Sequence, residues 1–419
     1  MGVPSKLENP AAAERSKSRG MGILPMRGNP ARHGQDAHAT NRFLSGNTGF
    51  TLIELLVAAA VFLVIVAVVL QITDQTSKIW RSSSAKIQAF QEARAGFDSM
   101  TRNLAQATLN TYYDYYDATN GARTSLTNAS DLAKFVPVTY DRVSDLHYIS
   151  GQAATLLAAS PTAVTTQTHA AFFQAPQGYS VAYESLDNSL NASGYFLQFD
   201  DGASVVPDFI KNAPGFKPRY RFRMMEMTQP TEELSVYGNQ NSGWFVNNAA
   251  GKSRMIAENV IALVLLPKLS DRQDDPAGTG KGVSIAPNYN YNSRIPLKAS
   301  SDPSWSGFPP DGFKAYPTDE GEVDASRHHQ LPPVVRMIMI VIDEASAVRL
   351  QGDGTGVPPA IDLSGTGLFT DATKLDADIQ AVEDICNAKP GNLTGNTQKL
   401  TYRVFSTDII MRQAKWSNK

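Results

Sequence analysis

From Leu55 to Thr73 the chain carries no charged side chain, and this run constrains the fold more than anything else in its 419 residues. At 1.5 Å of rise per residue, a helix of that length spans about 28 Å, close to the hydrocarbon thickness of a bilayer. The run predicts a membrane-spanning helix over residues 50–73. One carboxylate, Glu54, sits just inside its start. An ionised acid at the centre of a bilayer costs about 2.5–3.5 kcal/mol, so Glu54 must be interfacial, neutralised or paired. A cut after Gly49 would free an amino group on Phe50, one helical turn from Glu54. That spacing fits a terminal ammonium on a neighbouring molecule offset along the helix axis.

The flank of the run is specific. Gly49-Phe50-Thr51-Leu52-Ile53-Glu54-Leu55-Leu56-Val57 resembles the processing site of type IV prepilins: glycine, phenylalanine, glutamate four residues on, then an apolar helix. The resemblance implies that prepilin peptidase cuts after Gly49 and methylates the new terminus at Phe50. It gives Glu54 the role of pairing with a neighbour's terminal amine during subunit assembly. The partners it implies are prepilin peptidase, other pilin-like subunits, an inner-membrane assembly platform and membrane lipid.

Residues 1–49 read as a disordered leader that is removed. Basic residues are scattered through it (Lys6, Arg15, Lys17, Arg19, Arg27, Arg32, Arg42), glycine and proline break any period, and no apolar stripe forms. Its positive charge places it on the cytoplasmic side. Asn47-Thr48 stand where the resembled family usually has a basic residue before the glycine, and Met21 and Met26 offer alternative starts. The net charge of −2 marks no nucleic-acid binder. The lone Cys386 excludes an intrachain disulfide, so an exported domain of this size must be held by its core.

Beyond the membrane run the helix is expected to continue over residues 74–109. Phe90, Ala93, Phe97, Met100, Leu104 and Ala107 recur at spacings of three and four, one apolar face of a helix. That stripe is read as packing on the chain's own sheet, whereas Phe50–Trp80, with no sheet to lean on, is the candidate for subunit contact.

Residues 110–412 read as a β-rich domain, closed by a polar tail at 413–419. Tyr112–Asp117 alternates tyrosine with acid, as a loop or edge strand covering the core rim would. Strand-like runs follow at Leu146–Ile149, Ala170–Phe173, Tyr195–Phe199 and Tyr220–Met224. Arg219–Met225 alternates basic and apolar residues, which predicts a sheet with one wet face. Met255–Leu266 reads as a loop or helical turn leading to a strand stopped by Pro267. Polar insertions are expected at 270–330 and 350–399, the second with a helix near Asp371–Cys386. Val334–Ile342, apolar at nearly every position, predicts a central strand, and Leu400–Met411 the last one.

The fold class expected is α+β: a long N-terminal transmembrane and amphipathic helix packed on a mainly antiparallel, pilin-like sheet domain with long loop insertions. The helix-then-sheet order, the strand entered by Leu331-Pro332-Pro333 and the closing run Tyr402–Arg412 resemble the larger minor pseudopilins, the J-type subunit of type II secretion above all. The polar insertions, with Ser144–Ser150 and His169–Tyr179, also resemble the Verru_Chthon cassette proteins. No catalytic set emerges. His328-His329 are adjacent and so diverge. Gly278-Thr279-Gly280-Lys281-Gly282 misplaces the first glycine of a phosphate loop and has no Ser or Thr after the lysine. Asp271, Asp274 and Asp275 lack the regular spacing of a calcium loop.

The expectation is a non-enzymatic minor pseudopilin, without cofactor, metal or nucleic acid. It is single-pass in a bacterial inner membrane, with its C-terminal domain in the periplasm and a place in a pilus or pseudopilus. The rival expectations are a membrane-tethered periplasmic enzyme or binding protein, marked by a cleft with convergent polar groups, and a minor adhesin of a type IV pilus.

Overall fold

A computed structural model describes residues 50–117, 121–123, 126, 128–137, 139–182, 189–203, 206–237, 243–269, 285–294, 329–352, 356 and 359–415. Gly49 and the leader, the acidic run at Asp271–Asp275, the Gly278–Gly282 stretch and His328 lie outside them.

Helix α1 spans Leu52–Ala105 without a break. No proline falls within it and its first glycine is Gly96, so nothing interrupts the hydrogen-bond ladder. Its last turn tightens: Gln106 N–H donates to Asn103 O at 3.1 Å and Ala107 N–H to Leu104 O at 3.0 Å. The chain divides into two compact units at Leu70 and Gln71. The described part of the first is the apolar start of α1; the second holds the rest of α1 and every strand.

Among the described residues all strand pairs are antiparallel. A small sheet is ordered β2-β1-β3, from β1 (Tyr112–Asp117), β2 (Gly121–Ala122) and β3 (Thr139–Val143). A six-stranded sheet is ordered β10-β4-β5-β6-β7-β8. It contains β4 (Ile149–Gln152), β5 (His169–Pro176), β6 (Leu190–Asp200), β7 (Arg221–Gln229), β8 (Ser253–Glu258) and β10 (Tyr291–Asn292). A third sheet is ordered β12-β11-β9, with β9 (Val260–Lys268), β11 (Val334–Ile342) and β12 (Tyr402–Ile410). The fold is α+β, a long helix packed on antiparallel sheets, as a pilin-like chain requires.

The inner strands β5, β6, β7, β9 and β11 are buried on both faces, which is why they lack a clean polar alternation. Val335, Met337, Met339 and Val341 of β11 join Ala93, Phe97, Met100 and Leu104 of α1, with Phe173, Leu197 and Met224 of the six-stranded sheet. The opposite side of β11, Ile338, Ile340 and Ile342, meets Phe369, Val382 and Ile385. The other face of the six-stranded sheet, with Phe172, Phe196 and Met227, is covered by helix Gly243–Ala249 through Trp244 and Phe245. Each large side chain so buried contributes about 1.5–3 kcal/mol. Gly96 permits α1 to approach β8, since a Cβ there would lie 3.2 Å from Ile256 O.

Several elements differ from their sequence expectation. Met255–Leu266 is two strands, β8 and β9, and Pro267 lies inside β9 opposite Val335. Between them Asn259, at φ 59°, turns the chain from one sheet into the next. Asparagine tolerates that left-handed conformation, and its Nδ2 donates to Glu344 Oε2 at 2.8 Å. The basic residues of β7 face no solvent: Arg221 and Arg223 are buried, and Arg223 is held by Asp200 and by Glu258 at 3.1 Å. β1 is central in its sheet, and its polarity is inverted. Tyr113 and Tyr115 are exposed, whereas Asp114 and Asp117 are buried, accepting from the amides of Tyr115 and Val136 at 2.8 Å. The Leu146–Ile149 strand begins only at Ile149. Residues 359–400 are packed rather than peripheral, with Ile361, Leu363 and Phe369 in the core. Helix Leu375–Cys386, expected to bury a stripe of Leu375, Ile379, Val382 and Ile385, buries all but Ile379, which is half-buried. Within the expected insertion at 270–330, Ile285, Tyr289 and Tyr291 are buried and β10 pairs with β4.

Candidate functional site

The N-terminal turn of α1 is closed by its own side chains. Thr51 N–H and Thr51 Oγ1–H both donate to Glu54 Oε2 at 2.9 Å, and Glu54 N–H donates back to Thr51 Oγ1 at 3.3 Å. This is a capping box, in which a hydroxyl and a carboxylate three residues apart satisfy amides that a helix start leaves without partners. Its sequence signature, Thr51-Leu52-Ile53-Glu54, stands in plain view. The carboxylate expected to serve another molecule is thus also a local cap. Phe50 is exposed beside it, and Gly49 lies outside the described residues.

The helix that follows is bare. No residue from Leu52 to Glu92 is buried, and Leu55, Phe62, Leu63, Leu70 and Ile72 all project from it. It is long and apolar enough to cross a membrane. Past the apolar run come an Asp74–Lys78 ion pair at 2.7 Å and then Lys86, whose Nζ lies 3.6 Å from the buried carboxylate of Asp343. Asp343 also caps helix Glu344–Gln351 by accepting from Ser346 N–H. Lys86 therefore supplies a counter-charge that a buried carboxylate needs.

The folded domain has a groove of about 700 Å³ lined by Asn103, Gln177, Tyr179, Glu226, Lys252 and Arg254, among others. Its charged groups are paired with one another. Glu226 is buried and accepts from Tyr195 Oη–H at 2.6 Å, from Asn103 Nδ2 at 3.2 Å and from Arg254 Nε at 2.7 Å. Lys252 pairs with Glu233. The Tyr195 hydroxyl, desolvated and beside the Glu226 charge, is pushed well above its ordinary pKa and acts as a donor. This arrangement ties α1 to β6, β7 and β8, and no poised nucleophile–base pair occurs in it.

Two histidines pin the sheets. His169 Nδ1 accepts from Leu265 N–H at 3.0 Å, which puts the proton on Nε2, 3.0 Å from Phe369 O. His147 Nδ1 accepts from Trp244 Nε1–H at 3.1 Å, and its Nε2 faces Asn292 Oδ1 at 2.8 Å. Burial holds both neutral, lowering His169 to about 4 and, with help from the Arg294 charge, His147 to about 3. Cys386 is buried and its thiol is pushed up to about 12, so it is unreactive.

An apolar helix bare as far as Glu92, capped at its start by Thr51 and Glu54, and buried from Ala93 onward against antiparallel sheets is the arrangement expected of a pilin-like chain. In agreement, the family model for the prokaryotic N-terminal methylation motif matches residues 44–70. The chain therefore has a type IV pilin-like N terminus, of the kind processed by prepilin peptidase and assembled with other pilin subunits. No curated protein and no solved structure matches the chain.

Proposed function

We propose that the chain is a non-enzymatic minor pseudopilin. Prepilin peptidase cuts it between Gly49 and Phe50 and methylates Phe50. It then waits in the inner membrane as a single-pass protein with its domain in the periplasm, until an assembly platform draws it into a pseudopilus. The observation that carries this reading is the bare apolar helix beginning directly at the processing motif. The bulk of the domain, with two large sheets and a packed 359–400 segment, suits a minor or tip position better than a repeating one. In the assembled bundle, Glu54 exchanges its local cap for, or shares it with, a neighbour's terminal ammonium. The low dielectric of that bundle makes an unpaired carboxylate costly and so specifies register. The intact mass of the membrane-extracted protein tests the reading. The expected mass lacks residues 1–49 and carries one added methyl group, and an unprocessed mass in working cells refutes it.

A further inference from the structure

We propose that the groove beside Asn103 and Glu226 binds a neutral saccharide. The proposal goes beyond the pilin reading and stands apart from it, since the residues that line the groove all belong to the second compact unit.

Glu226 and Thr228, on one face of β7, lie in the groove with Asn103 of α1 and with Gln177, Tyr179 and Val181 from the loop after β5. That loop is held before any ligand arrives. Buried Asn191 accepts from Tyr179 N–H at 2.9 Å and donates to Tyr179 O at 2.6 Å. Glu232 accepts from the amides of Val181 and Ala182 at 3.2 Å and from the Ser180 hydroxyl. A site held in this way loses little freedom on binding. Its volume of about 700 Å³ lies within the range of about 300–1,000 Å³ typical of small-molecule sites.

Charge selects the class of ligand. The described lining holds two carboxylates and two cations, paired as Glu226 with Arg254 at 2.6 Å and Glu233 with Lys252. A charged ligand would have to break one of these pairs. The uncommitted groups are uncharged. Gln177 Oε1 accepts from Ser193 Oγ–H at 2.9 Å, and Asn103 Nδ2 donates to Tyr195 Oη at 2.7 Å. Among the described residues, Gln177 Nε2 and Asn103 Oδ1 have no partner, nor do the hydroxyls of Thr228 and Tyr179. One donor, one acceptor and two groups that do both call for a ligand rich in hydroxyls. A pyranose supplies these, and the apolar face of its ring suits the Tyr179 ring, which is 47% exposed. A peptide bound as an added strand would draw on main-chain groups along one sheet edge. The uncommitted groups here are side chains from α1, β7 and a loop, which converge on a compact ligand.

Saturation-transfer NMR on the full chain in nanodiscs, with chitotriose, cellotriose and maltotriose as probes, provides the test. At least one trisaccharide should bind saturably, and Tyr179→Ala and Thr228→Val should each weaken it tenfold or more. Tyr113→Ala removes a more exposed ring on β1 and should leave binding unchanged. Saturable binding by none of the three probes overturns the proposal. Binding that survives both groove substitutions, or falls equally with Tyr113→Ala, does the same. Displacement of the sugar by an equal concentration of a capped trialanine assigns the groove to peptides. Tighter binding of trigalacturonate assigns it to anions, and either result overturns the proposal.

Discussion

Lowering the pH from 7 to 5 should destabilise the folded domain through His147 and His169. Both are held neutral, at about 3 and about 4, against an ordinary value of 6.5. A second proton on His169 would have to enter at Nδ1, against the Leu265 N–H that points there. On His147 it would face the Trp244 indole N–H. The folded values are depressed, so the unfolded chain binds more protons below pH 6.5. The stabilisation is therefore complete above about pH 6.5 and is lost as pH falls toward the folded values. At pH 5 each histidine has lost about 2 kcal/mol, and the pair about 4 kcal/mol, a large share of the roughly 5–15 kcal/mol that holds a typical protein together. Asp371, Asp384 and Asp408, held below their ordinary range by hydrogen bonds and neighbouring cations, titrate lower still and leave this window to the histidines. Urea unfolding in a mild detergent, followed by the fluorescence of buried Trp244, reads the effect. His169→Gln lowers stability at pH 7 and roughly halves the slope with pH. Equal stability at pH 7 and 5, or an undiminished slope with both histidines replaced, refutes the assignment of neutral, paired imidazoles.

Two other substitutions probe the anchor and the core. Glu54→Gln keeps an acceptor for Thr51 and so preserves the cap, but removes the charge. It should be processed normally and incorporated poorly into filaments, and incorporation at the wild-type level measured by shearing and immunoblotting removes the charge-pairing role. Gly194→Ala places a Cβ 2.1 Å from Phe172 Cδ1, on a ring already stacked on Phe245 at 4.3 Å between centroids. It should cost about 1–3 kcal/mol, whereas Gly251→Ala, with nothing within 4 Å, should be silent in the same denaturation assay.

What the sequence disclosed follows from period. The 3-4-3-4-3 stripe from Phe90 to Ala107 could be read because a helix lying on a sheet buries one face, and Ala93, Phe97, Met100, Leu104 and Ala107 are buried as spaced. β11 was legible because a strand covered on both sides is apolar throughout. The β7 arginines were misread because alternation reports chemistry and not exposure. Asp200 and Glu258, which neutralise Arg223, are distant in sequence. The corner at Asn259 carries no glycine to announce it. The buried acids of β1 take backbone amides, Asp114 that of Tyr115 and Asp117 that of the distant Val136, so their polarity is satisfied without water. At the N terminus, Phe50 and Glu54 stand at the positions of the motif, and Thr51 and Glu54 have the spacing of the capping box that closes the first turn.

The contact made by α1 has a mechanical corollary. Its last turns touch β8 at Gly96 and set the Phe97 ring, tilted, 5.7 Å from that of Phe405 of β12, so one rod serves as the shared keel of two sheets. Prising it away would bare oily surface on both at once. That stretch of α1 and the two sheets are for that reason a single folding unit.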